Sequence, residues 1–320
     1  MPMSSRPEPL ENRVDVLTVS DMCVDLVLSG NVRPQFHQVE QLIEEYELEL
    51  GGSANIFATQ FAKLGGRAGV IGWVGEDLFG DFALERLWTM GVDTSRVKRH
   101  PNLKTGLGVA LCEPNDRAIL TYLGSIDGVQ RHDLPETMLN SCRHWHITSF
   151  FLLRSLTDFW FGWVRYCKAR GVTVSLDPNW DPNNRWQSLN DLLPFVDVFF
   201  PNEAEAMAIA GCSDVRQAGT KLASYGPLVV VKCGPKGAIA FKGRQTLQED
   251  PGGGSSVPPK VADSVGAGDN FDAGFIRAWL LGQDVKSCLA LANRCAVASL
   301  SHYGGIKGQL HEAIGNETVS

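Results

Sequence analysis

Short runs of β-branched and apolar residues alternate with longer segments of helical periodicity along most of the chain. The apolar runs have the length and composition of buried parallel strands. They lie at 14–19, 67–74, 144–150, 172–177, 196–201 and 227–232. Each helical segment ends at a glycine, a common signal for a helix C-terminus. These segments lie at 53–65, 79–91, 156–171 and 202–211. The alternation predicts an α/β fold with a doubly wound, mainly parallel sheet flanked by helices on both faces.

Two segments interrupt this alternation and predict a small β-stranded lid beside the main sheet. Residues 24–50 contain two strand-like runs around a polar stretch. Residues 105–123 have a hairpin pattern, in which EPNDR supplies turn residues between two apolar runs. Residues 248–260, QEDPGGGSSVPPK, have the composition of a flexible loop.

Charge and composition narrow the range of partners. The 320 residues carry a net charge of −7 and no run of lysine or arginine, which disfavours binding to a nucleic-acid backbone. No apolar stretch approaches the roughly 18 residues of a membrane span, and the first residues lack the apolar region of a secretory signal. The eight cysteines are scattered without a C-x-x-C pair, which predicts reduced, mostly buried thiols and a cytoplasmic protein.

The segment ADSVGAGDNFDAGF, at 262–275, places small residues directly before Asp269 and an apolar helical pattern. One interpretation is an ordinary helix start with an acidic cap. The other is an anion site, where bare backbone N–H groups face a ligand beside a carboxylate. Ligands of parallel sheets bind beyond the carboxyl ends of strands. Other polar groups follow strands at Asp21 and Asp25, at GGSAN (51–55) and at PNEAE (201–205).

Four sequence elements, in this order and spacing, resemble those of the PfkB (ribokinase-like) carbohydrate kinases. GGSANIFATQFAKLGGRAGVIGWVGED resembles the first family signature, and DSVGAGDNFDAGF resembles the second. PNEAE is similar to the N-x-x-E element, and VVVKCGPKGA is similar to the strand–turn–strand on the nucleotide side. The resemblance covers roughly residues 12–308. It implies one ribokinase-like domain with lid insertions at about 24–50 and 105–123, and loose tails at 1–11 and 309–320.

The resemblance implies phosphoryl transfer from ATP to a hydroxyl group of a small sugar or sugar derivative. Asp269 would accept the hydroxyl proton as the general base. The backbone around Gly266, Ala267 and Gly268 would hold the γ-phosphoryl oxygens as charge develops on them. Glycine suits these positions because a side chain would block the close approach of the backbone.

The resemblance also implies ATP and Mg²⁺ as cofactors and leaves a monovalent cation such as K⁺ open. Asn202 and Glu205 would organise Mg²⁺, largely through water, although a helix start with an acidic first turn explains the same pair. The nucleotide-side pattern falls on Lys232, Gly234, Gly237 and Asn293. Lys232 would meet phosphate or remain a solvated lysine. Asn293 would flank the adenine or occupy a polar position on an amphipathic helix.

The family's sugar-contacting positions fall on Asp25, Gly51, Gly52 and Asn55. Carboxylate and amide groups suit vicinal hydroxyls because they accept hydrogen bonds and, for asparagine, also donate them. Asp21 is a further candidate, with a turn residue after a strand as the alternative. The segment SLDPNWDPNNRW departs from the D-x-N-x-R pattern of sugar-acid kinases, because Arg185 comes too late in the sequence. That departure disfavours a keto-deoxy-sugar acid as substrate.

Two other functions remain open from the sequence. A nucleoside kinase of the same fold would use the same contacts from Asp25 and Asn55. A non-catalytic sugar-binding regulator is the second, although the intact Asp269 and N-x-x-E element argue against it. Apolar lid residues facing the site would favour a nucleoside, and polar ones a free sugar. The sequence leaves open the direction of Leu26, Leu28, Phe36, Leu107 and Val109.

The lid also bears on assembly. Its strand-like segments are too small to bury both of their faces, and exposed strand edges and apolar faces invite association. Many members of the family dimerise through such lids. We therefore expect a homodimer with the lid at its interface.

Overall fold

The structure, a computed structural model, describes residues 13–113, 116–186, 189–243, 245–249 and 264–313. The predicted tail at 1–11, most of the predicted flexible loop at 248–260 and the last seven residues of the chain lie outside the described residues.

Thirteen strands and eight α-helices are present in the described part of the chain. The strands are β1 (Val16–Val19), β2 (Cys23–Ser29), β3 (Glu45–Gly51), β4 (Ala68–Gly75), β5 (Asp93–His100), β6 (Gly106–Glu113), β7 (Asp116–Tyr122), β8 (His144–Ile147), β9 (Thr173–Leu176), β10 (Val198–Phe199), β11 (Leu228–Lys232), β12 (Ala238–Lys242) and β13 (Gln245–Glu249). The helices are α1 (Ser53–Lys63), α2 (Leu78–Thr89), α3 (Thr157–Ala169), α4 (Leu189–Leu192), α5 (Glu203–Ala210), α6 (Val215–Ala223), α7 (Ala267–Leu280) and α8 (Val285–Ser299). None of these helices is long and apolar enough to cross a membrane.

Nine strands form the main sheet, in the order β13-β12-β11-β10-β9-β8-β1-β4-β5. All pairs from β5 to β11 are parallel, and the β11–β12 and β12–β13 pairs are antiparallel. The first strand lies inside the sheet, between β4 and β8, so the chain builds outward from β1 in both directions. The predicted doubly wound, mainly parallel sheet is confirmed.

The sheet separates two apolar clusters, and successive residues of its strands contribute to opposite ones. Val16 packs with residues of α1, α2, α7 and α8. Its neighbour Leu17 packs with residues of α3, α5 and α6 on the other face. Side chains alternate between the two faces of a strand. A central strand covered on both sides is therefore apolar at every position, which is why these strands were recognisable in the sequence.

Two edge strands were not predicted, and one predicted tail is partly wrong. The strands β5 (DTSRVKRH) and β13 (QTLQE) contain mostly polar residues, because an edge strand is less fully covered. Gln248 and Glu249 belong to β13, although the sequence placed them in a flexible loop. Gln309 was assigned to a loose tail, but its side-chain amide donates to the Ile56 carbonyl oxygen at 2.9 Å. This hydrogen bond anchors Gln309 on α1.

The lid is a second sheet of four strands in the order β3-β2-β6-β7. Residues paired across these strands point to the same face of the sheet. Asp25 pairs with Glu49 and Gly108, whereas its neighbour Leu26 pairs with Leu48 and Val109. The lid therefore has one face that carries Asp25 and Glu49 with small residues and two larger apolar ones, Val27 and Ile119, and a second face that is mainly apolar.

Candidate active site

Asp21, two residues after the end of β1, fixes the N-terminus of α1. Its carboxylate accepts hydrogen bonds from the backbone N–H groups of Ser53 and Ala54, at 3.0 and 3.1 Å, and from the Ser149 hydroxyl at 2.7 Å. Burial raises the pKa of Asp21. A carboxylate in this position stabilises the positive end of the helix dipole. Its predicted contact with the sugar stays a prediction.

Asn55 holds the diglycine turn that leads into α1. Its side-chain amide donates to the Gly51 carbonyl oxygen at 2.8 Å, and its oxygen accepts from the Ser20 hydroxyl at 2.7 Å. Gly52 has a φ of 88°, and a Cβ there would lie 2.6 Å from the Asp21 carbonyl oxygen. Only glycine fits this turn without strain. The buried Asn55 amide is thus committed to the turn, and its predicted sugar contact stays a prediction.

Asp25 is the carboxylate that the lid presents next to this turn. A Cβ on Gly51 would lie 2.6 Å from a carboxylate oxygen of Asp25, and a Cβ on Gly108 would lie 2.3 Å from one. Both glycines therefore leave room for the Asp25 side chain, which is partly exposed. The acidic face of the lid, defined above by Asp25, Glu49 and Gly108, is the face directed towards the start of α1.

The GAGD segment forms the N-terminus of α7, which packs beside α1. Gly266 adopts a left-handed conformation with a φ of 70°, and a Cβ there would lie 2.8 Å from the Gly305 Cα atom. The Asn270 side-chain amide donates to the carbonyl oxygens of Gly266 and Gly305, both at 2.8 Å. Helix geometry leaves the N–H groups of the first turn without intrahelical acceptors. Such a turn is suited to binding an anion.

Asp269 lies in this first turn and is only 7% exposed. Burial, together with the negative charges of Asp177 and Asp21, raises its pKa well above the ordinary value, whereas Lys232 and a hydrogen bond with Ser53 oppose the shift. A carboxyl group with a raised pKa holds an accepted proton more tightly than an exposed aspartate does.

Lys232 ends β11 and lies within a cluster of carboxyl groups. Its ammonium group is 2.7 Å from the Asp177 carboxylate and 3.4 Å from both oxygens of Asp272. Burial by itself lowers the pKa of Lys232, but Asp177, Asp272 and Glu205 together raise it above the ordinary value. With a side chain only 14% exposed, Lys232 is a buried cation, so the alternative of a solvated lysine is wrong.

Asn202 and Glu205 cap the N-terminus of α5 reciprocally. The Glu205 carboxylate accepts from the Asn202 backbone N–H at 2.8 Å, and the Asn202 side-chain oxygen accepts from the Glu205 N–H at 2.9 Å. Burial and the charge of Asp177 raise the pKa of Glu205 to about 7. Asn202 also pairs with Lys232 across the sheet, which brings this helix start to the carboxylate cluster.

Asn202 and Glu205 could bind Mg²⁺ only together with water and the phosphates of a nucleotide. No group of three or more His, Cys, Asp or Glu side chains in the described residues is arranged to hold a metal ion by itself. Mg²⁺ retains several waters and is commonly bound by one or two carboxylates together with substrate phosphates. A single buried carboxylate such as Glu205 is compatible with that kind of site.

The other nucleotide-side residues lie on the β11–β12 connection and on α8. Gly234 and Gly237 border a single helical turn, with φ values of 55° and 79°. Asn293 is buried on α8, and its amide lies 3.4 Å from the Glu249 carbonyl oxygen of β13. Helix α8 packs against α7 and against β12 and β13. Lys232 and Asn293 therefore lie on the α7–α8 side of the sheet, and Gly234 and Gly237 follow the end of β11.

The sequence analysis did not identify Asp272 as a site residue. It also missed the contact of Ser53 with Asp269 and the contact of Asp177 with Lys232. Asp177 was noted only as part of an incomplete sugar-acid pattern, and Arg185 of that pattern is exposed. Asp272 comes three residues after Asp269, so the two side chains share one face of α7. That spacing was the available signal.

The fold and the site together are those of a lid-bearing α/β phosphotransferase. The profile of the pfkB family of carbohydrate kinases matches residues 15–312. The chain belongs to this family.

Individual relatives agree with this assignment. The chain is 28% identical over 290 residues to a fructoselysine 6-kinase from Shigella flexneri, covering 90% of this chain and 97% of the relative. It is 30% identical over 269 residues to an ATP-dependent ribose-1-phosphate kinase from Halopiger xanaduensis, covering 82% and 84%. A crystal structure of a putative ribokinase II from E. coli, in complex with ATP and Mg²⁺, has a TM-score of 0.78 and 26% identity, covering 93% and 96%. The protein is thus a carbohydrate kinase, as the sequence predicted.

Proposed function

We propose that the protein transfers the γ-phosphoryl group of ATP to a hydroxyl of an uncharged or amine-bearing sugar derivative. The observation that carries the proposal is the position of Asp269. It is buried in the first turn of α7, near Asp21 and Ser53 at the start of α1 and near the cation of Lys232.

Each part of this site has a role in the transfer. Asp269 accepts the proton of the attacking hydroxyl, and its raised pKa favours the protonated product of that step. The N–H groups around Gly266, Ala267 and Gly268 bind the phosphoryl oxygens, and Lys232 adds a positive charge beside them. Gly234, Gly237 and Asn293 contact the nucleotide.

Asn202 and Glu205 would hold Mg²⁺ through water. When bound, the ion neutralises charge between the β- and γ-phosphates. A requirement for a monovalent cation such as K⁺ stays a prediction of the family resemblance, and so does the cytoplasmic location.

The direction of the lid residues favours a sugar over a nucleoside. Leu26, Leu28, Leu107 and Val109 all belong to the apolar face, opposite Asp25. The acidic face carries Asp25, Glu47 and Glu49, of which the last two pair with Lys307. Lys307, Lys63 and Arg86 offset the charge of Glu49, and Asp25 would repel the negative charge of a sugar acid or sugar phosphate. The described residues of this face include the exposed Ile119 but no aromatic side chain on which a nucleobase could stack.

We further propose a homodimer formed through the apolar face of the lid. Tyr46, Leu120 and Tyr122 are 66%, 61% and 52% exposed on that face. Part of the same face is already covered, because Val24 and Leu50 pack with residues of α2. A second copy of the lid would bury the remainder.

The test is to measure ADP release with Mg–ATP over four classes of acceptor: neutral sugars, amine-bearing sugar derivatives such as fructoselysine, sugar acids or phosphates, and nucleosides. We expect turnover with a member of the first two classes, and turnover about 10²–10⁴-fold lower with the same acceptor in Asp269→Asn. A higher kcat/KM for a nucleoside or for an anionic sugar would contradict the proposed substrate class.

A further inference from the structure

Asp272 is a fully buried carboxyl group to which neither the sequence nor the proposed mechanism assigns a role. It lies on α7, three residues after Asp269. Asp177, at the end of β9, approaches the same point from the sheet. Both carboxyl groups contact the ammonium group of Lys232, at 3.4 Å for Asp272 and 2.7 Å for Asp177.

The lysine is confined on its other side by the GAGD turn. A Cβ on Gly268 would lie 3.2 Å from the Lys232 nitrogen, so the ammonium group borders the backbone that is suited to anions. An ammonium group has three N–H donors. The two carboxyl groups take donors on the protein side, and the remaining direction is towards the turn.

The pKa values of the two carboxyl groups are shifted in opposite directions. Burial and Asp177 raise the pKa of Asp272 well above the ordinary value, although Lys232 opposes the shift. Burial would also raise the pKa of Asp177, but Lys232 and a hydrogen bond from Asp272 lower it. These opposite directions favour a single proton shared by the pair, held on Asp272 and donated to Asp177, which would leave one negative charge on the pair beside Lys232.

We propose that Asp272 is a positioning residue, which acts with Asp177 to hold the Lys232 ammonium group against the GAGD turn, where it meets the γ-phosphate of ATP. The inference rests on the proposed function for its place in catalysis. Its geometric part concerns nucleotide binding alone and is testable separately.

Sharing one charge makes the two carboxyl groups partly interchangeable. In Asp272→Asn, the amide replaces the protonated carboxyl group and still donates to Asp177. In Asp177→Asn, Asp272 is the remaining carboxyl group and ionises opposite Lys232. In the double variant, no carboxylate holds the lysine. The effects of the two substitutions should therefore be strongly non-additive.

The experiment compares wild type with both single variants, the double variant Asp177→Asn/Asp272→Asn and Lys232→Met. Each single variant should lose less than about 10-fold in kcat, and the double variant and Lys232→Met each roughly 10²-fold, because a displaced charge no longer meets the transferred group. The KM for the sugar should stay within about 2-fold in all of them. By titration calorimetry, the double variant and Lys232→Met should lose affinity for ATP but not for ADP.

A matched control is Asp133→Asn. Asp133 is also buried and contacts a lysine, Lys98, at 2.6 Å, but in a different part of the molecule. The Asp133→Asn substitution should lower the urea midpoint of unfolding and leave kcat and the ATP/ADP affinity ratio unchanged. Asparagine has nearly the same shape as aspartate, so we expect all the Asp→Asn variants to fold. Urea unfolding verifies that each variant is folded.

Two results would overturn the inference. One is a double variant whose loss in kcat equals the product of the single losses. The other is an unchanged ATP/ADP affinity ratio in the double variant and in Lys232→Met. If wild type phosphorylates none of the acceptors but the affinity ratio changes as expected, the proposed substrate class fails and the positioning of Lys232 by the carboxyl pair stands.

Discussion

Asp269 differs from Asp21 and Glu205 in the hydrogen-bond partners identified for its side chain. Asp21 caps α1 and Glu205 caps α5, whereas the hydrogen bond identified for Asp269 is with the Ser53 side chain. At the scale of single residues, the sequence recognised the carboxylates that follow strands. It could not separate a carboxylate that binds a helix N-terminus from one that faces substrate, because an acidic residue in the first turn of a helix is consistent with both.

We predict that Asp269→Asn retains the fold and the affinity for ATP but loses about 10²–10⁴-fold in kcat, because the amide cannot accept the hydroxyl proton. Steady-state kinetics, with nucleotide binding measured by calorimetry, test this. A variant that keeps near-normal kcat would remove Asp269 as the general base.

Among the elements, β8, β9 and α1 enclose two neutral histidines. His144 and His146 both hydrogen-bond the Ser175 hydroxyl, at 2.7 Å, and the His146 ring stacks on Phe57 with ring centroids 3.8 Å apart. Burial lowers the pKa of His146 to about 3. The unfolded chain takes up a proton near pH 6.5 while the folded chain does not, so His146 reduces stability as the pH falls from 6.5 towards 3.

From this shift we predict that His146 costs about 2 kcal/mol of unfolding free energy at pH 5 relative to pH 7.5. His146→Gln has no titrating group at this position. The amount by which its unfolding free energy falls below that of wild type should therefore be about 2 kcal/mol smaller at pH 5 than at pH 7.5. Urea unfolding at both values measures it, and the exposed His302→Gln is the control. A deficit that is the same at both pH values would contradict the buried neutral state of His146.

For the whole molecule, the two faces of the lid separate assembly from substrate binding. Leu120 and Ile119 are neighbours on β7 and are 61% and 50% exposed, but they lie on opposite faces. Leu120 shares the apolar face with Val109, and Ile119 lies on the acidic face that carries Asp25.

We predict that wild type is a dimer by light scattering and that Leu120→Asp is a monomer, because a charge would be buried between two apolar faces. Ile119→Asp is the matched control: it should stay dimeric and change the KM for the sugar. A monomeric wild type would remove the assembly proposal. Equal masses for the two variants would contradict the assignment of the apolar face as the interface.

The sequence by itself determined the central strands of the sheet, several of the helices that flank it and the chemical signature of the site. Central strands are buried on both faces, so their composition is visible without the fold, and GAGD is contiguous along the chain. The tertiary structure alone decided which lid face meets the site, that polar edge strands complete the sheet, and that Asp177 and Asp272 converge on Lys232. These features join residues distant in sequence through the packing of several elements, and no local pattern encodes such a contact.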